Sequence, residues 1–166
     1  MSDGFQQVFR FASAEETARF AAALAPKLVP GDVLLLQGGL GAGKTHFARA
    51  LIQARLAAGG FAEDVPSPTF TLIQTYFDGA VELWHADLYR LSGPDEVFEL
   101  GLDEAFESVI CLIEWPDRLG KLAPPGALTL TFAMTDIPGE RLVTANSDNA
   151  RWADVLRGCA SGQPDG

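Results

Sequence analysis

Eight residues of this chain have the types and the spacing to hold a phosphate. Gly38-Gly39-Leu40-Gly41-Ala42-Gly43-Lys44-Thr45 is a glycine, four variable residues, then glycine, lysine and threonine. Glycines let the backbone curl until successive N–H groups point at one anion. A helix that starts there adds the positive end of its dipole. Lys44 then reaches the β- and γ-phosphates, and the Thr45 hydroxyl can ligate Mg²⁺. The flanks are those the loop needs. Val33-Leu34-Leu35-Leu36 before it has the length and apolarity of a buried strand. Residues 47–56 after it are good helix formers. A chance glycine turn ahead of a helix is the bland alternative. Four fixed positions would arise by chance in roughly one chain in a hundred or fewer.

Two acids could complete the chemistry. Glu114 closes the apolar run Val109-Ile110-Cys111-Leu112-Ile113, and ligands of open α/β sheets sit beyond the carboxyl ends of strands. An acid there holds Mg²⁺, directly or through water, or orients the attacking water; otherwise it is a surface acid that happens to end a strand. Asp87 lies in His85-Ala86-Asp87-Leu88-Tyr89-Arg90. His85, Asp87 and Tyr89 alternate with apolar residues and share one strand face. That face is either catalytic and metal-binding or simply solvated, and periodicity does not decide. His85 alone reads as an ordinary, partly buried histidine. Ser67-Pro68-Thr69-Phe70-Thr71 is a stiff turn with three hydroxyls, of the kind in which a threonine meets the metal only when a γ-phosphate is present. Threonine is equally at home where a loop enters a strand. Trp115 could lie against a nucleotide or mark a partner surface, with core packing the plainer role. Arg90 and Arg118 could clamp charge, or form solvated ion pairs.

These groups need elements to position them. Val8-Phe9-Arg10-Phe11 reads as a first strand. Ser13 with Glu16 makes a capping box, and Phe20, Leu24 and Leu28 recur on one buried helix face ending at Pro30-Gly31. Gly59-Gly60 ends the helix after the loop. Residues 69–76 and 81–89 are extended runs joined across Asp78-Gly79, a hairpin signal. Residues 94–107 form an acidic helical stretch, broken near Gly101. If that helix were continuous, Glu99, Asp103 and Glu107 would share one face, fit to dock a basic partner. Residues 109–113 are a strand and 116–122 a short helix or turn. Residues 127–134 and 141–145 are a second strand pair, joined across Pro138-Gly139. Ser147 is placed to cap a last helix through Arg157. The chain thus reads as one domain over residues 1–157, with a frayed tail over 158–166.

Composition narrows the class. With 166 residues and 48% hydrophobic content the chain can bury a real core. No apolar run approaches the ~20 residues needed to cross a bilayer, and Met1-Ser2-Asp3-Gly4-Phe5 lacks the layout of a signal peptide, so a cytoplasmic protein is expected. Two cysteines, Cys111 and Cys159, make neither a disulfide framework nor a zinc site; Cys111 reads as core. Residues 1–62 hold six basic and four acidic groups, net +2, whereas residues 63–166 hold six and eighteen, net −12. The acidic part disfavours broad contact with nucleic-acid phosphates and suits a basic protein partner, or serves solubility alone.

The motifs occur together in a known order. Residues 39–45, Ser67-Pro68-Thr69-Phe70-Thr71-Leu72, His85-Ala86-Asp87-Leu88-Tyr89-Arg90-Leu91, Glu99-Leu100-Gly101-Leu102 and Ile113-Glu114-Trp115-Pro116 resemble the TsaE (YjeE) family of small bacterial P-loop ATPases, over roughly residues 5–157. The resemblance implies a P-loop NTPase-like, three-layer α/β/α fold. Its central sheet would be mixed and largely parallel, with an antiparallel hairpin at about 69–89. It implies an ATPase that supports threonylcarbamoyladenosine formation in tRNA, at the adenosine beside the anticodon. Such proteins work with TsaB and TsaD, and tRNA is met through that complex rather than directly. ATP and Mg²⁺ are the implied cofactors. Gly39, Leu40, Gly41, Ala42, Gly43, Lys44, Thr45 and His46 would hold the nucleotide. Asp87, Glu114 and Lys44 would be catalytic, and Thr45, Glu114, Asp87 and Thr69 would face the metal. Many relatives carry a second threonine where His46 stands here. The backbone N–H at that position would face the α-phosphate, so a changed affinity is expected rather than lost binding.

Other readings are a small-molecule kinase and a nucleotide-gated binding module without required turnover. A kinase lid needs clustered arginines, and the six basic residues after residue 62 are scattered. A GTPase is disfavoured because Asn146-Ser147-Asp148-Asn149 lacks the lysine of a guanine-reading segment.

Overall fold

The central strands are apolar at nearly every position, so both faces of the sheet they form must be covered. The computed structural model describes residues 5–39, 41–62, 64–68 and 72–159. Among these, seven strands form one sheet: β1 (Phe5–Phe11), β2 (Val33–Gly38), β3 (Ile73–Phe77), β4 (Glu82–Asp87), β5 (Ile110–Glu114), β6 (Leu128–Met134) and β7 (Arg141–Ser147). Their order is β1-β7-β6-β2-β5-β4-β3. The four middle strands, β6, β2, β5 and β4, run parallel. Both margins are antiparallel: β1 with β7 and β7 with β6 on one side, and the β3–β4 hairpin on the other.

Alternation along the middle strands splits the core in two. Leu34, Leu36, Ile110 and Leu112 pack under α1 (Ala14–Leu24), α2 (Lys44–Ala58) and α5 (Arg151–Leu156), through residues such as Phe20, Phe47, Leu51 and Trp152. Val33, Leu35, Cys111 and Ile113 pack under α3 (Pro94–Glu99), α4 (Leu102–Ser108) and a 3-10 turn over Pro116–Leu122. The result is the α/β/α sandwich expected from the motifs. Each fully buried leucine contributes about 1.5–3 kcal/mol relative to an exposed one.

Local signals explain most boundaries. Ser13 caps α1 by accepting the Glu16 N–H at 3.2 Å. The Glu16 carboxylate reaches back one residue further than a standard capping box, to the Ala12 N–H at 2.8 Å. The α-helix stops at Leu24, and a 3-10 turn over Ala25–Lys27 containing Pro26 carries the chain on, so Leu28 is buried without being helical. In the β3–β4 turn, Asp78 Oδ1 accepts the N–H groups of Ala80 and Val81 at 2.9 and 2.7 Å.

One expectation needs correction, and another is settled at its break. Ser147 does not cap the last helix: it is the final residue of β7, paired opposite Phe5, and α5 begins only at Arg151. Pairing with β1 keeps the chain extended past the point where a cap could form. The acidic stretch breaks at Gly101 as read, and so the shared face that a continuous helix would give Glu99, Asp103 and Glu107 is not formed. Gly101 takes φ +81 between α3 and α4, a left-handed conformation glycine adopts without strain, so Glu99 and Asp103 belong to different helices. The acids Asp95, Glu96, Glu99, Glu104 and Glu107 are nonetheless exposed. Cys111 is core, as read, and burial pushes its thiol up to about 12. Cys159 is also buried, with its thiol against the Val155 carbonyl. Among the described residues no helix is long and apolar enough to cross a membrane.

Candidate functional site

Three strand ends meet at the carboxyl edge of the sheet. Leu36 of β2 and Asp87 of β4 both pair with Glu114 of β5, so the loop after β2 emerges beside both acids. Gly38 turns that loop with φ +141, where a Cβ would sit 2.6 Å from the Phe132 carbonyl of β6. A side chain there would push the loop off the sheet. Gly43, with φ +109, ends the loop as the residue before α2. The first intrahelical bond runs from the Phe47 N–H to the Gly43 carbonyl at 2.9 Å. The N–H groups of Lys44, Thr45 and His46 therefore have no partner within the helix.

Those residues line a cavity of about 390 Å³, together with Gly41 and Gly43. Asp87, Glu114 and Trp115 wall it from the β4–β5 side. Ala14, Thr17, Gly139 and Arg141 wall it from the side of α1 and the β6–β7 connection. A helix N-terminus facing a cleft with a buried lysine is suited to an anionic ligand.

Side chains inside the cavity are tied to one another. Thr45 Oγ1 donates to both oxygens of Glu114, at 2.8 and 2.9 Å. His85 Nε2 lies 2.8 Å from Glu114 Oε2. Glu114 is 2% exposed and His85 0%, so this is a buried polar cluster and not a solvated strand end. Among the described residues His85 Nδ1 has no hydrogen-bond partner, an arrangement that costs about 1–3 kcal/mol for a buried polar atom. Asp87 is buried and accepts the Tyr89 N–H at 3.0 Å. Lys44 Nζ donates to the Gly38 carbonyl at 2.6 Å and lies 3.4 Å from the centre of the Trp115 ring. Burial pushes the Lys44 ammonium below its usual range, and the carboxylates of Glu114, Asp87 and Asp117 partly offset this. A phosphate entering the cavity would act in the same sense as those carboxylates.

The structure thus brings together Gly39, Gly41, Ala42, Gly43, Lys44, Thr45, His46, Asp87 and Glu114 as one loop and its facing acids. Leu40, Thr69, Phe70 and Thr71 lie outside the described residues. Trp115 does more than fill core: half-buried with φ +60, it holds its ring against Lys44 and 4.8 Å from the Tyr89 ring. Arg118 forms the ion pair expected of it, with Asp117 at 2.6 Å, and also bonds the Tyr89 carbonyl. The His46 ring does not turn into a phosphate site; its Nε2 lies 2.9 Å from the Ala14 carbonyl and ties α2 to α1.

Two residues were not singled out as site groups by the sequence. His85, set aside as ordinary, contacts Glu114. Arg141 was placed only as a strand residue. Its Nε donates to the Ala42 carbonyl at 2.9 Å and its Nη2 to the Gly41 carbonyl at 3.3 Å, so it grips the glycine loop by its backbone. One signal was available: Arg141 is the only basic residue between Lys121 and Arg151. Replacing Arg141 by leucine should leave the fold intact and weaken nucleotide binding about tenfold, or ~1.4 kcal/mol. Titration calorimetry checks this; unchanged affinity would mean that the loop keeps its shape without the clamp.

The acids also bear on a metal. Among the described residues no three His, Cys, Asp or Glu side chains gather into a cage. Mg²⁺ in nucleotide sites takes one or two carboxylates and completes its shell with phosphates and water. Thr45, Glu114 and Asp87 fit that sparser donor set.

A glycine loop between a central parallel strand and a helix, with acids on the neighbouring strand ends, defines a P-loop NTPase-like fold. The family model described as "Threonylcarbamoyl adenosine biosynthesis protein TsaE" matches residues 11–142, and the chain belongs to the TsaE family. A Rickettsia felis protein named tRNA threonylcarbamoyladenosine biosynthesis protein TsaE is 39% identical over 145 residues, covering 86% of this chain and 82% of that one. A protein of the same name from Bacillus subtilis is 40% identical over 128 residues, covering 76% and 77%. The crystal structure of Bacillus subtilis YdiB superposes with a TM-score of 0.73 at 30% identity, over 98% of this chain and 99% of that one.

Proposed function

We propose that this chain is a cytoplasmic, Mg²⁺-dependent ATPase that supports threonylcarbamoyladenosine modification of tRNA, acting with TsaB and TsaD. The observation that carries the ATPase reading is the cluster of half-buried Thr45 with buried Glu114 and Asp87 beside Lys44 at the mouth of α2. Phosphoryl transfer needs positioning and charge stabilisation more than covalent chemistry, and this cavity supplies both. The loop N–H groups and Lys44 would hold the phosphates. Thr45 and Glu114 would hold Mg²⁺, which would neutralise charge developing on the phosphates. Asp87, across the strand pair from Glu114, would share the metal or orient the attacking water. Membership of the TsaE family and the names of its relatives support the link to tRNA modification. The exposed acids of α3 and α4 and the net charge of −12 over residues 63–166 suit a basic protein partner and favour meeting tRNA through the complex.

The test is ATP turnover by the chain alone and with TsaB and TsaD, with and without tRNA. Free phosphate released faster in the presence of the partners supports the proposal. A phosphorylated metabolite would point to a kinase, and modification that proceeds equally well with a non-hydrolysable ATP analogue would point to a nucleotide-gated binding module.

A further inference from the structure

We infer that His85 is a positioning residue that fixes the Glu114 carboxylate for the metal, an inference that rests on the nucleotide reading of the cavity. Glu114 has a broad terminal torsion, and one donor alone does not fix the plane of its carboxylate. The structure supplies donors from two elements. Thr45 bonds it from the first turn of α2, and His85 Nε2 bonds Oε2 at 2.8 Å from β4. The carboxylate is thereby pinned to the sheet as well as to the helix. A helix shift on phosphate binding would still leave it aimed.

His85 is poorly explained as packing. It is wholly buried, yet among the described residues its Nδ1 has no partner and its polar contact is with Glu114. An apolar residue would fill the same space without an orphaned nitrogen. What His85 contributes beyond the neighbouring Leu83 and Leu112 is one N–H aimed at one carboxylate oxygen. The strand pairing makes this possible. His85 stands opposite Leu112, and Asp87 opposite Glu114. Two positions apart on β4, they let one strand deliver an acid to the cavity and the holder of the other acid behind it. Partners of this kind behind a metal-linked carboxylate typically change metal affinity about 10–100-fold when removed.

Three variants test the assignment: His85→Gln, His85→Asn and His85→Leu. A glutamine amide N–H₂ reaches about where Nε2 stands, and an asparagine amide only as far as Nδ1. ADP binding is measured by calorimetry in excess chelator. Mn²⁺ binding to the protein–ADP complex is measured by paramagnetic resonance. Metal-free ADP affinity is expected to stay within about twofold in all three, since His85 does not face the phosphate loop. The Mn²⁺ dissociation constant should rise about 10–100-fold in His85→Leu and His85→Asn, and return to within about threefold of native in His85→Gln. Equal loss in the asparagine and glutamine variants, or native metal affinity in the leucine variant, would overturn the inference. If His85→Leu does not fold, the asparagine–glutamine pair decides. If the native chain binds no ADP, the nucleotide reading itself falls, and the inference with it.

Discussion

Lys44→Ala is expected to erase the stabilisation that Mg-ATP confers on the native chain. At 100 times its dissociation constant, a ligand that binds only the folded state stabilises it by about 2.7 kcal/mol. For a chain of this size that is a rise in melting temperature of roughly 5–10 °C. Lys44 is 4% exposed, held by the Gly38 carbonyl and the Trp115 ring, and drawn by Glu114 and Asp87. Its removal takes away a cation whose charge Glu114 and Asp87 stabilise, so the unliganded variant need not melt where the native chain does. The readout is therefore the ligand-induced shift within each protein, by thermal denaturation with and without Mg-ATP. A variant that shifts as far as the native chain would remove the basis for the P-loop assignment.

The second large effect falls on turnover. Glu114→Gln and Asp87→Asn keep side-chain shape and remove charge. Losing one positioned charge-stabilising group typically costs about 10²–10³ in rate, or ~2.7–4 kcal/mol. Nucleotide affinity should change far less, because the loop N–H groups and Lys44 are untouched. Glu114→Gln carries an added burden, since one of the two oxygens that accept from Thr45 becomes an N–H₂ donor. Steady-state hydrolysis is compared with ATP titration, and melting temperature controls for folding. Near-native turnover in both variants would reduce the two acids to structural groups.

What could be read from sequence was local. The glycine loop, its strand and helix, and Glu114 at a strand end each occupy a few consecutive residues, and the structure places them as their patterns require. Asp87 was evenly balanced, because alternation along a strand says which residues share a face and not what that face meets. The structure sets Asp87 opposite Glu114 and buries it, so that face is not simply solvated. The same register makes His85 part of the site, and nothing in the one strand's pattern reveals it. Arg141 was illegible for a related reason. It bonds backbone carbonyls 99 and 100 residues away, and carbonyls leave no mark in a residue pattern. Ser147 shows the opposite error: a good local cap signal was overruled because β1 offers that residue a strand partner.

The pairing of β1 with β7 also dates the site's completion. The first strand has the last strand as its neighbour in the sheet, so about 130 residues must be made before Phe9 and Phe11 can be covered from that side. At cellular synthesis rates this is a wait on the order of 10 s, during which the loop, Lys44 and α2 already exist. Arg141 arrives with β7, and the α1 end of the cavity is anchored next to β1. A nascent or C-terminally shortened chain would therefore carry the phosphate loop without the clamp that shapes it. Such long-range closure is slow in folding, and the chain should gain nucleotide affinity late, as one of its last acts of assembly.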